Sequence, residues 1–461
     1  MKTKVSAARL MAYDVLWAVI KHKAYAHVAL HEVLEQYRPR PEDAALASEI
    51  VHGVLTWERL LDHYISEHSS VPHQSLDMKV LVILRMSLYQ LRFFSRVPSY
   101  AIVSDAVELT KDVAVRAQGF VNGVLRAATR STNWVMPLTK DECPLCDKGQ
   151  WGLRLSFPQW MVDQLIDHFG EQEACQLMCA LNEKVPRTVR VNSAHYTREE
   201  VLSALEQEDV RAEPSPISPY GIRLPAKVSP IAKLAYRNGM YSLQGESSML
   251  VAPLFGDLTG KRVLDACAAP GGKALHMAEL AKDQAMIVAV DVHEHRAKMI
   301  DQQAKRLDLS SVQTITQDAR SIEGQFDAVL LDAPCSGLGT IARKPDIKWR
   351  VTSQDIDNLT KIQAELLDAM SLRVQTDGLL IYTTCTLSAC ENEWQIRHFL
   401  SRHREFELEE LNLPLELRAN DQVNNNDRSL EPGMAYIFPQ QVGSDGFFFA
   451  KLRRKHVEIN E

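Results

Sequence analysis

The stretch KRVLDACAAPGGKALHMAELAKD, residues 261–283, decides the fold class of the larger part of this chain. An apolar run of strand length ends at Asp265, a short loop with the adjacent glycines Gly271 and Gly272 follows, and a helix-length segment begins at once. This order is typical of the first unit of a doubly wound α/β sheet. The glycines let the backbone approach a ligand, and the helix start offers amide donors to a phosphate or a carboxylate.

Four further strand-like segments follow and are separated by segments of helix length: AMIVAV, VQTITQ, FDAVLL and GLLIYTTC. The alternation predicts parallel strands joined by right-handed helical crossovers. Near the carboxyl terminus, MAYIFPQ and DGFFFAKLRR predict an antiparallel hairpin at the sheet edge, and the acidic, Asn-rich residues 405–431 are predicted to form a loop. A P-loop is excluded, because Lys273 precedes Ala274 instead of Ser or Thr.

Size and composition limit the class of protein. With 461 residues and 46% hydrophobic content, the chain is large enough for two or three domains. The formal charge of −7 argues weakly against a nucleic-acid partner, although residues 1–150 carry 18 Lys and Arg against 16 Asp and Glu. Uncharged stretches fall short of the roughly 18 apolar residues that a membrane span requires, so a cytoplasmic protein without membrane contact is expected. Its eight cysteines are then expected to be thiols.

The chain divides into four predicted regions. Residues 1–135 carry apolar residues at three- and four-residue spacing, which predicts an all-helical domain of about six helices. Residues 136–152 form a polar linker whose Cys143-x-x-Cys146 lacks a second ligand pair, so no metal is expected. Residues 153–240 predict a small α/β subdomain, and residues 241–461 the doubly wound domain. Basic residues that could form one face of the subdomain, or could simply be solvated, are Arg187, Arg190, Lys227, Lys233 and Arg237.

Carboxylates at the ends of the predicted strands are candidate site residues, because ligands of open α/β sheets bind beyond the carboxyl ends of the strands. Asp291 ends the second strand, where a carboxylate suits the two hydroxyls of a ribose. Asp318 and Asp332 end the next two strands. One such carboxylate alone would more simply cap a helix, but three that face one crevice favour a nucleoside-containing cofactor.

Two cysteines reach the same edge of the predicted sheet. Cys335 lies in DAPCSG, residues 332–337, where Pro334 fixes the loop, and Cys385 ends the fifth strand. A thiolate that adds to carbon 6 of cytosine lets carbon 5 take a methyl group from a sulfonium, and a second acid/base group can assist release. Asp332 could accept a hydrogen bond from the exocyclic amine of cytosine. Methylation of an adenine amine has a different loop, [DN]-P-P-aromatic, from which DAPC departs.

The motifs DACAAPGGK, DAPCSG and TTC resemble, in order and spacing, those of RNA cytosine-5 methyltransferases of the NOP2/Sun (RsmB/Fmu) family. The resemblance covers residues 153–454, and the helical third, with RMSLYQL and FVNGVLRA, resembles the NusB-like RNA-binding domain of bacterial members. It implies a Rossmann-like, class I S-adenosylmethionine-dependent methyltransferase with an all-α NusB-like domain at the amino terminus and a small α/β RNA-binding subdomain. The implied cofactor residues are Cys267, Ala268, Ala269, Pro270, Gly271, Gly272, Lys273, Asp291, Asp318 and Asp332.

The resemblance also implies the roles of three catalytic residues. The cysteine of the Thr-Cys motif attacks carbon 6 in this family, so Cys385 would be the nucleophile, Cys335 would assist release of the adduct, and Asp332 would also be catalytic. DNA cytosine methyltransferases use the Pro-Cys cysteine as the nucleophile, so spacing alone leaves the two cysteine roles open. Cys390, five residues further along, is interpreted as a packed residue at a helix start.

The implied partner is 16S ribosomal RNA in an unfolded or loop form, because a target cytosine must leave its stack to reach a thiol. The segment RKPDIKWR, Arg343–Arg350, would face this RNA, and a monomer is expected. Two alternatives stay open: cytosine-5 methylation of another RNA such as tRNA, and a non-catalytic RNA-binding assembly factor. Intact Cys335 and Cys385 argue against the second alternative.

Overall fold

The computed structural model describes residues 5–142, 147–414, 417 and 430–456. The linker pair Cys143 and Cys146 lies outside the described residues. The chain forms two compact units. The first comprises Met1–Gln164, Ala174–Asn182 and Arg343–Arg350, and the second comprises Leu165–Glu173, Glu183–Ala342 and Val351–Glu461.

Helices form the first unit in its described part. Seven of them precede residue 131, where the sequence predicted about six. The boundary between the units falls within two later helices, Gln159–Phe169 and Glu171–Leu181. The helices are α1 (Ala7–His22), α2 (Ala26–Tyr37), α3 (Pro41–Thr56), α4 (Glu58–His68), α5 (Met78–Phe93), α6 (Ser99–Val113), α7 (Gln118–Arg130), α8 (Trp151–Arg154), α9 (Gln159–Phe169) and α10 (Glu171–Leu181).

The segment Arg343–Arg350 belongs to the first unit, and its central lysine is buried there. The Lys348 ammonium donates to the carbonyl oxygens of Thr56 and Ser156, at 3.1 and 3.2 Å, and to the Asn182 side chain. Burial lowers the pKa of Lys348 well below its usual value. The prediction that this segment faces RNA is therefore wrong for Lys348, because its donors are used inside the helical unit.

Replacing Lys348 by methionine is expected to lower the free energy of unfolding by roughly 2–4 kcal/mol, because buried acceptors left without a donor cost roughly 1–3 kcal/mol each. Chemical denaturation followed by circular dichroism measures the change. Lys344→Met is the matched control, since Lys344 lies in the same segment but is exposed. The control should stay within about 0.5 kcal/mol of the unmodified chain. A Lys348→Met variant of unchanged stability would show that these hydrogen bonds contribute nothing.

The second unit contains a small antiparallel sheet with strand order β2-β3-β1-β4. Its apolar core includes Val189, Val191 and Ile222, which alternate with polar positions along the strands. The elements are β1 (Arg187–Val191), α11 (Arg198–Gln207), β2 (Glu213–Pro214), β3 (Gly221–Leu224), α12 (Leu234–Arg237) and β4 (Tyr241–Leu243).

The predicted basic face of this subdomain needs a correction at Arg190. Arg187, Lys227 and Arg237 are exposed, as such a face requires. Arg190 is instead fully buried, and its Nε and Nη2 donate to the Glu279 carboxylate at 2.8 and 2.6 Å. A buried guanidinium needs such a partner because the desolvation of an unpaired charge is costly. Arg190 is therefore part of the interior of the second unit.

An eight-stranded mixed sheet forms the rest of the second unit. Its order is β10-β12-β9-β8-β5-β6-β7, with β11 paired to β12. The five strands β5 to β9 pair with one another in parallel. Strand β12 runs antiparallel to β9. The predicted α/β Rossmann-like, doubly wound sheet is confirmed. The elements are α13 (Glu246–Met249), β5 (Arg262–Asp265), α14 (Gly272–Leu280), β6 (Met286–Asp291), α15 (Glu294–Arg306), β7 (Val312–Thr316), β8 (Phe326–Asp332), α16 (Ile347–Arg350, of the first unit), α17 (Ser353–Ser371), β9 (Val374–Thr384), α18 (Glu393–Arg402), β10 (Phe406–Leu408), β11 (Met434–Ile437), α19 (Pro439–Val442) and β12 (Phe447–Arg454).

Three sequence predictions differ from this structure. Strand β12 lies between β9 and β10, so the carboxyl-terminal hairpin is not simply at the edge of the sheet. Strand β10 forms inside residues 405–431, which were predicted as a loop. Cys175 is in a disulfide, although all cysteines were expected to be thiols. Among the described residues, every helix is too short or too polar to cross a lipid bilayer.

Candidate active site

Predicted site residues and one further carboxylate, Asp265, lie at the carboxyl edge of the parallel sheet. Strands β5, β6 and β8 end at Asp265, Asp291 and Asp332, and Cys385 directly follows β9. Asp332 is paired in register with Thr383 of β9, so the loop after β8 and the loop after β9 start side by side. This pairing explains how two cysteines fifty residues apart in sequence reach one place.

The thiols of Cys335 and Cys385 are in contact, with their Sγ atoms 3.4 Å apart. The hydrogen bond to Cys385 and burial raise the pKa of Cys335 well above its usual value. Cys335 therefore keeps its proton at neutral pH and can donate it to the Cys385 sulfur. The Cys385 carbonyl accepts from the Gly339 amide at 3.0 Å. Any Cβ at Gly339 would lie 2.2 Å from the Gly446 carbonyl oxygen, so only glycine fits at this approach.

Asp332 ends β8, three residues before Cys335, and has a partner on each oxygen. Lys273 donates to Oδ2 at 2.6 Å, and Thr383 donates to Oδ1 at 3.0 Å. Burial is the largest single effect and lowers the pKa of Lys273. The charge and hydrogen bond of Asp332, together with the charges of Cys385 and Asp265, outweigh it and raise that pKa. Lys273 was predicted among the cofactor residues, and the structure places its ammonium against Asp332. A fixed ammonium beside Cys385 favours the thiolate of that cysteine.

The glycine loop after β5 is held on two sides. Ala268 donates to the carbonyl of Val290 at 2.8 Å, which attaches the loop to β6. Gly271 has a φ of +103°, a conformation that favours glycine, and an added Cβ would press on Ile300. Arg190 donates to the carbonyl oxygen of Gly272 at 2.5 Å, at the first residue of α14. The buried arginine therefore supports the start of the helix that presents the loop.

Asp265 is a site residue that the sequence reasoning missed. Its side chain is fully buried, and neither oxygen has a hydrogen-bond partner among the described residues. Burial and the charge of Asp332 raise the pKa of Asp265 to about 7. The charge of Lys273 opposes this rise most, and the amides of Cys267 and Ala274 oppose it less. A buried carboxylate without a partner is costly, so this position suits a ligand that brings a donor or a positive charge. Its position at a strand end, like that of Asp291, could have indicated it.

The two remaining predicted carboxylates differ in their surroundings. Asp291 is buried at the end of β6 and pairs with Arg296 at 3.3 Å. Arg296 also donates to the carbonyl of Ala269 at 2.8 Å, which links Asp291 to the glycine loop. Asp318 is more exposed and pairs with Arg320 at 2.6 Å, and hydrogen bonds from Arg320 lower the pKa of Asp318. Asp291 is thus held beside the loop, whereas Asp318 is engaged by its own neighbour.

The doubly wound sheet, the glycine loop and the antiparallel strand beside β9 define the class of this chain as a Rossmann-like methyltransferase. Three family models match: the NusB family at residues 6–130, the RsmF/B-like ferredoxin-like domain at 157–230, and 16S rRNA methyltransferase RsmB/F at 255–453. The chain is 34% identical to the probable ribosomal RNA small subunit methyltransferase B of Bacillus subtilis, over 98% of this chain and all of that relative. It therefore belongs to the RsmB/F family, as the sequence motifs predicted.

Solved structures share this fold. The protein PH0851 superposes with a TM-score of 0.80 at 24% identity and covers 98% of this chain and 100% of its own. NSun6 from Pyrococcus horikoshii, solved with SFG, gives a TM-score of 0.58 at 22% identity over 65% of this chain and 99% of its own. Together with the family models, they confirm the NusB-like domain, the small α/β subdomain and the methyltransferase sheet as the fold class of this chain.

Proposed function

We propose that this protein transfers a methyl group from S-adenosylmethionine to carbon 5 of a specific cytosine in 16S ribosomal RNA, through a covalent cysteine-cytosine intermediate. The contact between the Cys335 and Cys385 thiols at 3.4 Å, at the ligand edge of the sheet, carries the proposal. A binding protein or a scaffold needs no thiol pair at this place. The Bacillus subtilis relative is named as a ribosomal RNA small subunit methyltransferase, which supports 16S RNA as the substrate.

The residues after β5 and β6 fit the cofactor. The buried, unpartnered Asp265 carboxylate can accept the donors of an amino group, which the methionine part of S-adenosylmethionine carries. Asp291 is placed for the ribose hydroxyls, and Cys267–Lys273 and Asp318 complete the proposed pocket. When bound, this cofactor supplies a methyl group on a positively charged sulfur. SFG, an analogue of this cofactor, accompanies the NSun6 structure, which agrees with such a pocket.

The chemistry of the thiols follows from their surroundings. The Cys385 thiolate, stabilised by the Lys273 ammonium, forms a bond to carbon 6 of cytosine, and carbon 5 then takes the methyl group. For release, the proton on carbon 5 passes to solvent, its electron pair re-forms the C5–C6 double bond, and the bond between carbon 6 and the Cys385 sulfur breaks with its electron pair returning to sulfur. Cys335 keeps its proton and lies against Cys385, so we assign it the donation of a proton to the departing sulfur.

Asp332 and Lys273 are proposed to hold the cytosine ring. The Asp332 carboxylate can accept from the exocyclic amine, and the Lys273 ammonium fixes that carboxylate at 2.6 Å. Both groups lie near Cys385, so the ring would meet them and the nucleophile together. Asp332 and Lys273 would thus hold the cytosine ring while the Cys385 thiolate attacks it.

The other proposed features concern the partner and the domains. We propose a cytoplasmic monomer that takes its RNA in an unfolded or loop form, because the target base must be unstacked. The proposed boundaries are 1–135 for the NusB-like RNA-binding domain, 136–152 for the linker, 153–240 for the RNA-binding subdomain and 241–461 for the catalytic domain.

Incubation with methyl-labelled S-adenosylmethionine tests the function. We expect label on carbon 5 of one cytosine in unmodified 16S RNA and none in tRNA. Label in tRNA alone would support the alternative substrate. No label in either RNA would overturn the proposal and leave the non-catalytic assembly factor.

Asp291→Ala is expected to weaken cofactor binding by roughly 10- to 100-fold, the loss that accompanies a hydrogen bond to a charged group. Isothermal titration with S-adenosylhomocysteine measures the dissociation constant without any RNA. Asp301→Ala is the matched control, because Asp301 is exposed on α15, the helix that follows β6. An unchanged dissociation constant in Asp291→Ala would place the ribose elsewhere.

A further inference from the structure

Glu391 is a fully buried carboxylate between the two cysteine loops. It directly follows Cys390, which the sequence analysis interpreted as a packed residue at a helix start. In the structure it ends a short 3-10 turn, Ala389–Glu391, just before α18. Burying a carboxylate is costly unless donors surround it, so the identity of its donors is informative.

Each oxygen of the Glu391 carboxylate accepts two hydrogen bonds. Oε1 accepts from the Ser336 amide at 2.8 Å and from Gln363 at 3.1 Å. Oε2 accepts from the Ser336 hydroxyl at 2.5 Å and from the Thr386 hydroxyl at 3.3 Å. Four donors use about the full acceptor capacity of an ionised carboxylate. The group is thus satisfied as an anion, although burial raises its pKa.

The donors belong to the residues next to the two thiols. Ser336 follows Cys335, and Thr386 follows Cys385. The hydroxyl oxygens of Ser336 and Thr386 lie 2.6 Å apart, so the one proton of the Thr386 hydroxyl is shared between the Ser336 oxygen and Glu391. One buried carboxylate therefore holds the chain immediately beyond each cysteine, on two loops whose thiols lie 3.4 Å apart.

Hydrogen bonds from β9 and through Asn392 fix the backbone of Glu391. The Tyr382 hydroxyl donates to the Glu391 carbonyl oxygen at 2.6 Å, and Tyr382 is fully buried in β9. Asn392 accepts from Thr384 at 2.6 Å and donates to the carbonyl of Thr386 at 3.1 Å. The carboxylate is thus fixed to the strand that ends at Cys385.

We propose that Glu391 is a positioning residue that sets the distance between the Cys335 and Cys385 thiols by accepting hydrogen bonds from both loops. The inference rests on the proposed function, because it assigns this spacing a role in formation and release of the cytosine adduct. Glu391 acts through its hydrogen bonds with Ser336 and Thr386, the residues that directly follow the two cysteines.

The variant Glu391→Gln tests this role with almost no change of volume. A glutamine amide has one acceptor oxygen and one NH2 group and carries no charge. The Ser336 amide cannot accept from an NH2 group at the Oε1 position, and at the Oε2 position the Ser336 and Thr386 hydroxyls would have to reverse and accept. Either way, the charge-assisted hydrogen bonds that hold the two loops are lost. Glu393→Gln is the matched control, because Glu393 is an equally buried carboxylate two residues on that accepts from Tyr436 at 2.7 Å, away from the thiols.

The distance between the thiols can be measured chemically. Dibromobimane alkylates two nearby thiols; each thiolate displaces one bromide, so two C–S bonds form and two bromides leave. Peptide mapping by mass spectrometry gives the yield of the bridge between Cys335 and Cys385. At alkaline pH, where Cys335 also ionises, we expect the bridge to form at the same rate in the unmodified chain and in Glu393→Gln, and at a rate lower by about tenfold or more in Glu391→Gln.

A kinetic measurement shows whether the effect reaches the chemistry. In Glu391→Gln, kcat for methyl transfer should fall by about tenfold or more, with KM for S-adenosylmethionine unchanged, because the cofactor residues are untouched. Ser336→Ala removes the 2.5 Å bond to Glu391 and the contact with the Thr386 hydroxyl, but it keeps Glu391 and the Ser336 amide donor, so a smaller fall in both bridging and kcat is expected. This variant also tests the idea if Glu391→Gln does not fold.

The outcomes separate this inference from the proposed function. An unchanged bridging rate in Glu391→Gln, or equal losses in Glu391→Gln and Glu393→Gln, would overturn the positioning role. A selective loss of bridging supports control of the thiol spacing by Glu391 even if the unmodified chain methylates no RNA. Absence of methylation by the unmodified chain would instead contradict the proposed function.

Discussion

Replacing Cys385 by alanine is expected to reduce methyl transfer by at least about 10³-fold, because loss of a covalent nucleophile removes the step that activates the ring. Without the thiolate, carbon 5 of cytosine is too poor a nucleophile to take a methyl group. The measurement is incorporation of label from S-adenosylmethionine into 16S RNA. Cofactor binding should be unchanged, because the glycine loop and Asp291 lie on other strands.

Cys390→Ala is the matched control for this variant. Cys390 is only five residues away, but it lies in the 3-10 turn before α18 and not at the strand end. Its substitution should leave methyl transfer within about twofold of the unmodified chain. If activity survives in Cys385→Ala and disappears in Cys390→Ala, the nucleophile is Cys390 and not Cys385.

Replacing Cys335 by alanine is expected to stop the reaction after attack and so to accumulate the protein joined to RNA. The Cys335 thiol keeps its proton and contacts the Cys385 sulfur. The bond between that sulfur and carbon 6 must break for release. Without it, the adduct forms at Cys385 but is expelled slowly. A denaturing gel should show a band shifted by the mass of the RNA, formed only when RNA is added.

The double variant Cys335→Ala/Cys385→Ala is the control for this trapped species. It should give no shifted band, because the group that forms the bond is gone. If Cys385→Ala accumulates the adduct and Cys335→Ala does not, the two cysteines have the opposite roles. That result would match the arrangement in which the Pro-Cys cysteine is the nucleophile.

The sequence predicted the sheet and the places of its strand ends well. Apolar runs bounded by glycine and by helix-length segments carry their own periodicity, so β5 to β9 were predicted near their observed positions. The two thiols could be placed together because parallel strands end at one edge. The family motifs then assigned chemical roles that spacing alone left open.

The buried charged residues could not be predicted in the same way. Arg190 and Lys348 were interpreted as surface residues because Arg and Lys are mostly exposed, and a pattern of neighbours in sequence does not show a distant partner. The partners are Glu279 for Arg190, and carbonyl groups more than 190 residues away for Lys348. Their burial depends on tertiary contacts that local periodicity does not record.

Glu391 illustrates the same limit within the site. A glutamate just before an apolar helical pattern is typical of a solvated helix start, where acidic residues are favourable. Its main donor, Ser336, lies 55 residues earlier in the chain. Only the pairing of β8 with β9 brings that loop to it. The position of Asp265 at a strand end was, by contrast, visible in the sequence and was not used.

Identification of the cysteine that bonds to carbon 6 tests the central claim most directly. The unmodified protein is incubated with S-adenosylmethionine and 16S RNA that contains 5-fluorocytosine, whose fluorine cannot leave as a proton does, so the adduct persists. After digestion of protein and RNA, mass spectrometry locates the modified peptide. We expect the nucleotide on Cys385. A nucleotide on Cys335, or no adduct on either cysteine, would contradict the account.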